Sequence, residues 1–403
     1  MARDTTTSVA RRAKLAADSR RAVFRWLRPA RGFDELDACD FIAGNPHEMA
    51  LPGYVAAIQR ALVPDSASYY AYGPPWPPAT EAVTRALASR LDLALDPENV
   101  FLTRGASAGL WAVLRAVVES RDEVVMMSPP WFFYESMVLA LEAIPVKVPL
   151  TNAEMDLDLP AIERAISSRT RVVIVNTPHN PSGRIYPENQ LRGLSALLEQ
   201  ASIRIGRTIY LASDEAYARI LFDGRAMITP ARYYDPTFML HTYSKTLLAP
   251  SQRAGYLAFT AAMPEPEPLR EALFGELMLG GGIPDTAMQH AMPELEELCI
   301  DVKAIERRRD RLVAELRKLG YLLHVPEAGF YLFPRSPIPD ASEFVDWLAE
   351  RKVFALPGEA FERPGWFRLS LTATDEMVDR ALPIFAEAME RLGSISHAEG
   401  SIP

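Results

Sequence analysis

Between residues 78 and 259, short apolar runs alternate with helix-patterned stretches, and this alternation constrains the fold more than any other feature of the chain. The apolar runs are 99–103 (NVFLT), 123–127 (EVVMM), 145–150 (PVKVPL), 171–176 (RVVIVN), 208–213 (TIYLAS), 237–242 (TFMLHT) and 256–259 (YLAF). Helical patterns fill 78–91, 106–119, 133–142, 159–167 and 187–201. Short strands separated by helices predict an α/β fold, with a large domain whose mostly parallel sheet is sandwiched by helices. One long helical stretch, 285–318, is expected to stop at Gly320. Beyond it, short strands (321–324, 329–333, 353–356, 366–370) mix with helices at 341–350 and 375–392. That change of pattern predicts a smaller α+β domain built from both chain ends. The expected division is an N-terminal arm at 1–40, a first piece of the small domain at 41–60, the large domain at 61–290, the small domain at 291–392 and a disordered tail at 393–403.

Composition narrows the function classes. The chain has 403 residues, 49% of them hydrophobic and 24% charged, which is enough apolar material for a large core. A net charge of −9 argues against a nucleic-acid partner. No apolar run reaches the length of a membrane span, so no membrane partner is expected. The first residues lack the apolar core of a secretion signal, and the two cysteines, Cys39 and Cys299, are far apart, so the expected location is cytoplasmic. The arm is arginine-rich and is expected to lie on a partner subunit or to be disordered.

In open α/β sheets, ligands bind beyond the carboxyl ends of the strands. There the sequence places Arg104-Gly105-Ala106-Ser107, Ser128-Pro129-Pro130-Trp131, Thr177-Pro178-His179-Asn180-Pro181, Asp214-Glu215-Ala216-Tyr217 and Tyr243-Ser244-Lys245. Two chemistries suit this set. In the first, Gly105-Ala106-Ser107-Ala108-Gly109 is a G-x-S-x-G elbow and Ser107 the nucleophile of a serine hydrolase. That needs a downstream acid and histidine and an oxyanion loop; His179, His241, His290, His324 and His397 follow, but no His-Gly-Gly-Gly segment does. In the second, the same small residues open a helix whose N–H groups cradle a phosphate. A phosphate cradle together with a lysine amine, a planar aromatic and a carboxylate describes pyridoxal 5'-phosphate: the lysine forms a Schiff base, and the acid keeps the pyridine nitrogen protonated.

Over residues 40–390 the chain resembles the class I/II aminotransferases, pyridoxal-phosphate enzymes of fold type I. The resemblance rests on GNP (44–46), GAS (105–107), PPW (129–131), NTPHNPSG (176–183), SDEAY (213–217), SKTLLAPSQRAG (244–255) and FRLSL (367–371), in this order and spacing. It implies that the large domain binds the cofactor. Lys245 would be the Schiff-base lysine and general base, and Asp214 the partner of the pyridine nitrogen. Trp131 would stack on the ring, and Asn180 and Tyr217 would donate to its phenolic oxygen. Ala106, Ser107, Thr242 and Arg253 would hold the phosphate, with Tyr70 arriving from the neighbouring subunit. Arg368 would clamp the substrate α-carboxylate, close to the backbone of Gly44. The implied reaction moves the α-amino group of an amino acid to a 2-oxo acid through pyridoxamine phosphate, in a homodimer with shared active sites.

The chain departs from the family pattern at YYAYGPPWPPATEAV (69–83), where prolines replace the usual Gly-x-Pro-x-Leu-Arg. It follows that the sequence does not decide which of Tyr69, Tyr70 and Tyr72 reaches the neighbour. Nor does the sequence place a second arginine for an acidic substrate side chain. The same cofactor also supports lyase, cyclase and decarboxylase chemistry, so those alternatives stand beside transamination. A regulatory protein on this fold would need a DNA-binding domain, for which the N-terminal arm is too short.

Overall fold

The computed structural model describes residues 8–27, 35–152 and 154–399. Each apolar run of the alternating region forms a strand or most of one. With β1 at Cys39–Asp40, the run continues as β2 (Val100–Thr103), β3 (Glu123–Ser128), β4 (Ile144–Pro149), β5 (Thr170–Asn176), β6 (Tyr210–Asp214), β7 (Thr237–Thr242) and β8 (Gly255–Ala258). From β2 to β8 these make one sheet in the order β2-β8-β7-β6-β5-β3-β4. Its central pairs are parallel, and β8 runs antiparallel to both of its neighbours. Val172, Val173, Ile174 and Val175 are all buried, as expected of a central strand covered on both faces.

The small domain carries β9 (Tyr331–Leu332), β10 (Val353–Phe354), β11 (Leu356–Pro357) and β12 (Phe367–Ser370). Of these, β11, β12 and β9 form an antiparallel sheet, while β1 pairs in parallel with β10. Both chain ends therefore meet in one core around Phe41, Leu312, Phe344, Phe367 and Phe385.

Four boundaries differ from the sequence expectation. The helix Pro52–Ala61 belongs with the large domain, because Tyr54, Ala57 and Ala61 form one apolar face against Val83, Leu87, Met288 and Met292. The expected helix over 285–318 is two helices, Thr286–Leu295 and Val302–Lys318, and Asp301 starts the second by accepting from the Ala304 N–H at 3.1 Å. The arm helix Arg11–Ser19 packs on the helix Tyr134–Ala140 of its own chain, burying Ala16 and pairing Ser19 Oγ with Ser136 Oγ at 2.9 Å. The last helix, Asp375–Glu399, runs through most of the expected tail, since adding a turn to an existing helix requires no new nucleus. Residues 1–7 and 400–403 lie outside the described residues. A helix at Pro266–Leu279 was not expected at all; its proline-rich start disguises an N1 proline, and Gly280 ends it.

The break between the two long helices is pinned by a buried carboxylate. Glu296 accepts a hydrogen bond from the Tyr243 hydroxyl and another from Arg90 at 2.6 Å, and Arg219 lies 3.7 Å away. Tyr243 immediately precedes Ser244-Lys245, so this cluster joins the inter-domain connection to the strand end that carries the lysine. Replacing Glu296 by alanine leaves Arg90 and Tyr243 without their acceptor and is expected to cost about 3 kcal/mol in urea unfolding; a loss under about 1 kcal/mol, the range of an exposed pair, would show that the cluster does not hold the break.

Candidate active site

At the carboxyl ends of β2, β3, β5, β6 and β7 lies a cavity of about 230 Å³. Eleven of the twelve residues singled out from the sequence line it: Gly44, Ala106, Ser107, Trp131, Asn180, Asp214, Tyr217, Thr242, Lys245, Arg253 and Arg368. The twelfth, Tyr70, does not. Its ring is 57% exposed and its hydroxyl donates to the Leu62 carbonyl at 2.7 Å, which turns it back onto its own helix end.

One end of the cavity is built for an anion. The helix Ala106–Val117 points its first turn at it, and the N–H groups of Ala106 and Ser107 have no acceptor within the helix. The side chain of Arg253 donates to Ser244 Oγ at 3.0 Å, to Ser107 Oγ at 3.4 Å and to two backbone carbonyls. No carboxylate among the described residues pairs with Arg253, and burial pulls its pKa down. Close backbone approach makes this cradle possible. A Cβ on Gly255 would stand 2.2 Å from the His241 carbonyl and 2.8 Å from Gly105 Cα, and Gly105 itself has φ 88°.

The other end holds a second unpaired guanidinium. Arg368 is 2% exposed. It donates to Asn180 Oδ1 at 3.1 Å and to the Ile42 carbonyl at 2.7 Å, and its Nε has no partner. Tyr331 and Phe361 sandwich it, with the guanidinium carbon 3.8 and 4.7 Å from their ring centroids. A buried cation with aromatic faces and an open donor edge is a receptor for a carboxylate.

Between these ends stand Lys245 and Asp214. The Lys245 amine is 5.9 Å from the Tyr217 ring centroid and forms no ion pair with a described carboxylate. Burial raises the Asp214 pKa, opposed by a 2.5 Å hydrogen bond from the Tyr134 hydroxyl and by the charge of Lys245. Its other oxygen accepts from the Ala216 N–H at 3.2 Å. Such a carboxylate gains from a cationic N–H partner, and a protonated pyridine nitrogen is one. Trp131 meets Phe133 and Tyr134 edge-on, at 5.1 and 5.3 Å, which fixes its plane at the cavity wall. These groups fit pyridoxal phosphate: anion donors at one end, a lysine, an acid, an aromatic wall and a carboxylate receptor.

Three contributors escaped the sequence reading. Tyr134 orients Asp214. Asn176 ties the Asp214 backbone to Asn180, donating to the Asp214 carbonyl at 2.9 Å and accepting from the Asn180 N–H at 2.7 Å. Tyr331 lines the cavity beside Tyr217; burial raises both phenols, but Arg368 and Lys245 outweigh it for Tyr331, whose pKa falls. Asn176 ends a strand, so strand-end position was an available signal for it; Tyr134, on a helix, gave none. Ser107, the alternative nucleophile, is bonded to Arg253, and the described hydrogen bonds of His179 and His241 go to Ser182, Pro129, Glu215 and Thr246. No elbow triad forms.

Comparison with known proteins agrees with this geometry. The family model "Aminotransferase class I and II" matches residues 40–385. A probable aspartate/prephenate aminotransferase of Aquifex aeolicus is 26% identical over 376 residues, covering 89% of this chain and 92% of that protein. The aspartate/prephenate aminotransferase of Thermus thermophilus is 28% identical over 368 residues, covering 88% and 92%. Among solved structures, an amino transferase from Eubacterium rectale superposes with a TM-score of 0.85 at 27% identity, covering 96% of each chain. The Thermus thermophilus aspartate aminotransferase with maleate gives 0.80 at 26% identity, covering 95% of this chain and 100% of that one. The chain belongs to the class I and II aminotransferases. Its cofactor is pyridoxal phosphate and its reaction is amino-group transfer.

Two outcomes follow from the local geometry. Gly255→Ala has no room for its methyl group and is expected to weaken cofactor retention at least about tenfold, read by cofactor absorbance after dialysis. Glu215, behind Asp214, accepts from Ser213 and Thr229, and burial pushes its pKa from the ordinary 4.5 up to about 7. The folded state then binds a proton that the unfolded chain releases between pH 4.5 and 7, so this group's stabilisation is present below 4.5 and is lost as pH rises to 7. His179 and His241, drawn down to about 4 by burial, act in the opposite sense below pH 6.5, so the difference between variant and wild type is the useful quantity. Relative to wild type, Glu215→Gln should gain about 3 kcal/mol of unfolding free energy between pH 4.5 and 7; a flat difference would mean the carboxyl ionises normally.

Proposed function

We propose that the chain is an aminotransferase for an amino acid with an acidic side chain, acting through Lys245 and holding its substrate between Arg368 and Arg20. The convergence of Lys245, Asp214, Arg253 and Arg368 on one cavity carries the first part. When bound there, pyridoxal phosphate supplies the electron sink for the carbanion at the substrate Cα. The chain's own groups do the rest. The Lys245 amine would hold the cofactor's aldehyde carbon and is the base available to the Cα proton. Asp214, kept in place by Tyr134, would hold a proton on the pyridine nitrogen. The first turn of the helix Ala106–Val117, with Ser107, Thr242 and Arg253, would anchor the phosphate, and Asn180 and Tyr217 would donate to the phenolic oxygen. Arg368 takes the α-carboxylate next to Gly44, whose lack of a Cβ leaves the Tyr331 hydroxyl in place; a Cβ there would come within 3.2 Å of it.

The arm supports the second part. Beyond Trp131 a further cavity of about 600 Å³ lies under the arm helix, lined by Arg20, Ser107, Trp111, Trp131 and Phe133. Arg20 rests 5.8 Å from the Phe24 ring and has no carboxylate partner among the described residues. It is the second cation that the sequence alone did not locate. The relatives named for aspartate and prephenate transamination point to the same substrate class. The aromatic walls favour a second reading, an aromatic side chain, as the name of the Thermococcus litoralis aromatic-amino-acid aminotransferase suggests. We also read the chain as a cytoplasmic homodimer. Tyr72 and Leu279 are almost fully exposed, and a second subunit would cover them and bring Tyr70 to the neighbouring cavity.

A single-turnover panel tests the reading: amino acids are offered without an acceptor, and the cofactor form and product are identified by mass spectrometry. The expected result is the amine form of the cofactor with a matching 2-oxo acid, fastest for aspartate or glutamate and absent in Lys245→Ala. Release of ammonia with the cofactor unchanged would instead mean lyase chemistry. Arg20→Ala should lower kcat/KM for aspartate about 10- to 100-fold, the worth of a charge-assisted hydrogen bond, and leave phenylalanine unaffected. Equal losses for both would remove Arg20 from specificity.

A further inference from the structure

The small domain carries a second concave site that the transfer reaction does not use. A cavity of about 690 Å³ opens between the loops that precede and follow the antiparallel strands, a volume typical of small-molecule sites. Its rim holds two arginines, Arg335 and Arg363. Neither has a carboxylate within ion-pair distance among the described residues, unlike Arg308 with Asp375 and Arg309 with Asp223. Arg363 faces only an aromatic ring, its guanidinium carbon 5.7 Å from the Trp366 centroid. Leu322, Ile338, Trp366 and Met389 supply the apolar part of a lining that is equally polar, with Ser336 beside the two arginines. Pro337, Pro339 and Pro364 fix the lining loops, so the shape is set before any ligand arrives.

Two guanidinium groups without carboxylate partners, on the rim of a half-apolar cavity with a tryptophan in its wall, suit a planar hydrophobic body that carries a carboxylate. The structure places this site close to the catalytic cavity through packed rings. Trp366 stacks on Phe333 at 5.5 Å with 19° between planes, Phe333 meets Phe361 edge-on at 6.0 Å, and Phe361 is one of the two rings against Arg368. Trp366 also lies only two residues before Arg368 in the chain, at the start of β12. We propose that this small-domain cavity is a binding site for an aromatic carboxylate, separate from the catalytic pocket, with Arg335 and Arg363 as its anion receptors. The step is binding alone and involves no covalent change.

The test is isothermal titration of the cofactor-loaded enzyme with 2-naphthoate, comparing wild type with the double variant Arg335→Ala/Arg363→Ala. Both arginines are at the surface and outside the catalytic pocket, so the variant is expected to keep its kcat, which checks that it is folded and active. The expected result is a binding event in wild type that weakens at least tenfold in the double variant. A matched cation, 2-naphthylmethylamine, should not bind at this site in either protein. Identical naphthoate isotherms for wild type and variant would overturn the proposal, because binding would then be confined to the catalytic pocket or absent. Equal loss of the cation and the anion in the variant would overturn it too, since it would show an apolar crevice without anion selectivity. A second variant, Trp366→Leu, removes the aromatic wall and keeps both charges; it is expected to weaken naphthoate more than acetate, and equal effects would contradict the aromatic part of the assignment.

Discussion

Two guanidinium groups without carboxylates, Arg368 buried and Arg253 at the rim of the same cavity, set the terms for the rest of the structure. A buried cation is costly unless its donors are satisfied, and an ion pair is the usual way to satisfy them. Arg253 and Arg368 are satisfied instead by hydroxyls, an amide and backbone carbonyls, which quench donors without cancelling charge. The protein thus retains positive potential at both ends of one cavity. A ligand with a phosphate at one end and a carboxylate brought to the other completes what the fold leaves open. The antiparallel insertion of β8 serves this arrangement directly: by bringing Gly255 against His241 and Gly105, it lets the loop between β7 and β8 carry Lys245 out and Arg253 back to the same cradle.

The carboxylate receptor is shared between the two domains. Arg368 comes from β12 of the small domain, Asn180 follows β5 of the large domain, and Ile42 follows β1 at the junction. Any motion between domains therefore changes the geometry at Arg368, and the short segment between Leu295 and Val302 is where such a motion would be absorbed. That segment begins at Glu296, whose bonds to Tyr243 and Arg90 fasten it to the large domain. The helix that follows the break is tied as well, through Arg309, which pairs with Asp223 at 2.7 Å.

Much of this was legible in the sequence for a specific physical reason. A parallel sheet buried on both faces needs continuous apolar runs, and its chemistry must come just after them, so reading strand ends also read the site. Lys245, Asp214, Asn180 and the glycine-led turn at 105–107 were accessible in that way. Residues that act through another side chain were not. Tyr134 matters only because its hydroxyl reaches Asp214, and a tyrosine on a helix is by default a packing residue. Tyr331 sits in a strand that the sequence does predict, but its place beside Tyr217 follows only from the packing of the two domains. The helix break at 296–301 was hidden because Glu296 and Asp301 both suit a helix surface; only burial of the first and capping by the second end the continuity.

The arm is the instructive failure. Its arginines, read by count, suggested a solvated segment or a partner's surface. What decides its place is instead small and apolar: Ala16 buried, and Ser19 paired with Ser136, against the helix that also carries Tyr134. One helix thereby serves two ends of the reaction. Its buried face holds Tyr134 against Asp214, and its outer face seats the arm whose Arg20 lines the cavity beyond Trp131. The arm packs closely on that helix, and a ligand that bound Arg20 and Arg368 together would stabilise it further. A substrate carrying two carboxylates would then help to complete its own pocket, whereas one carrying a single carboxylate would engage Arg368 and leave the arm unaided. Substrate selection in this chain can in that way depend on an element that the family's catalytic residues do not include.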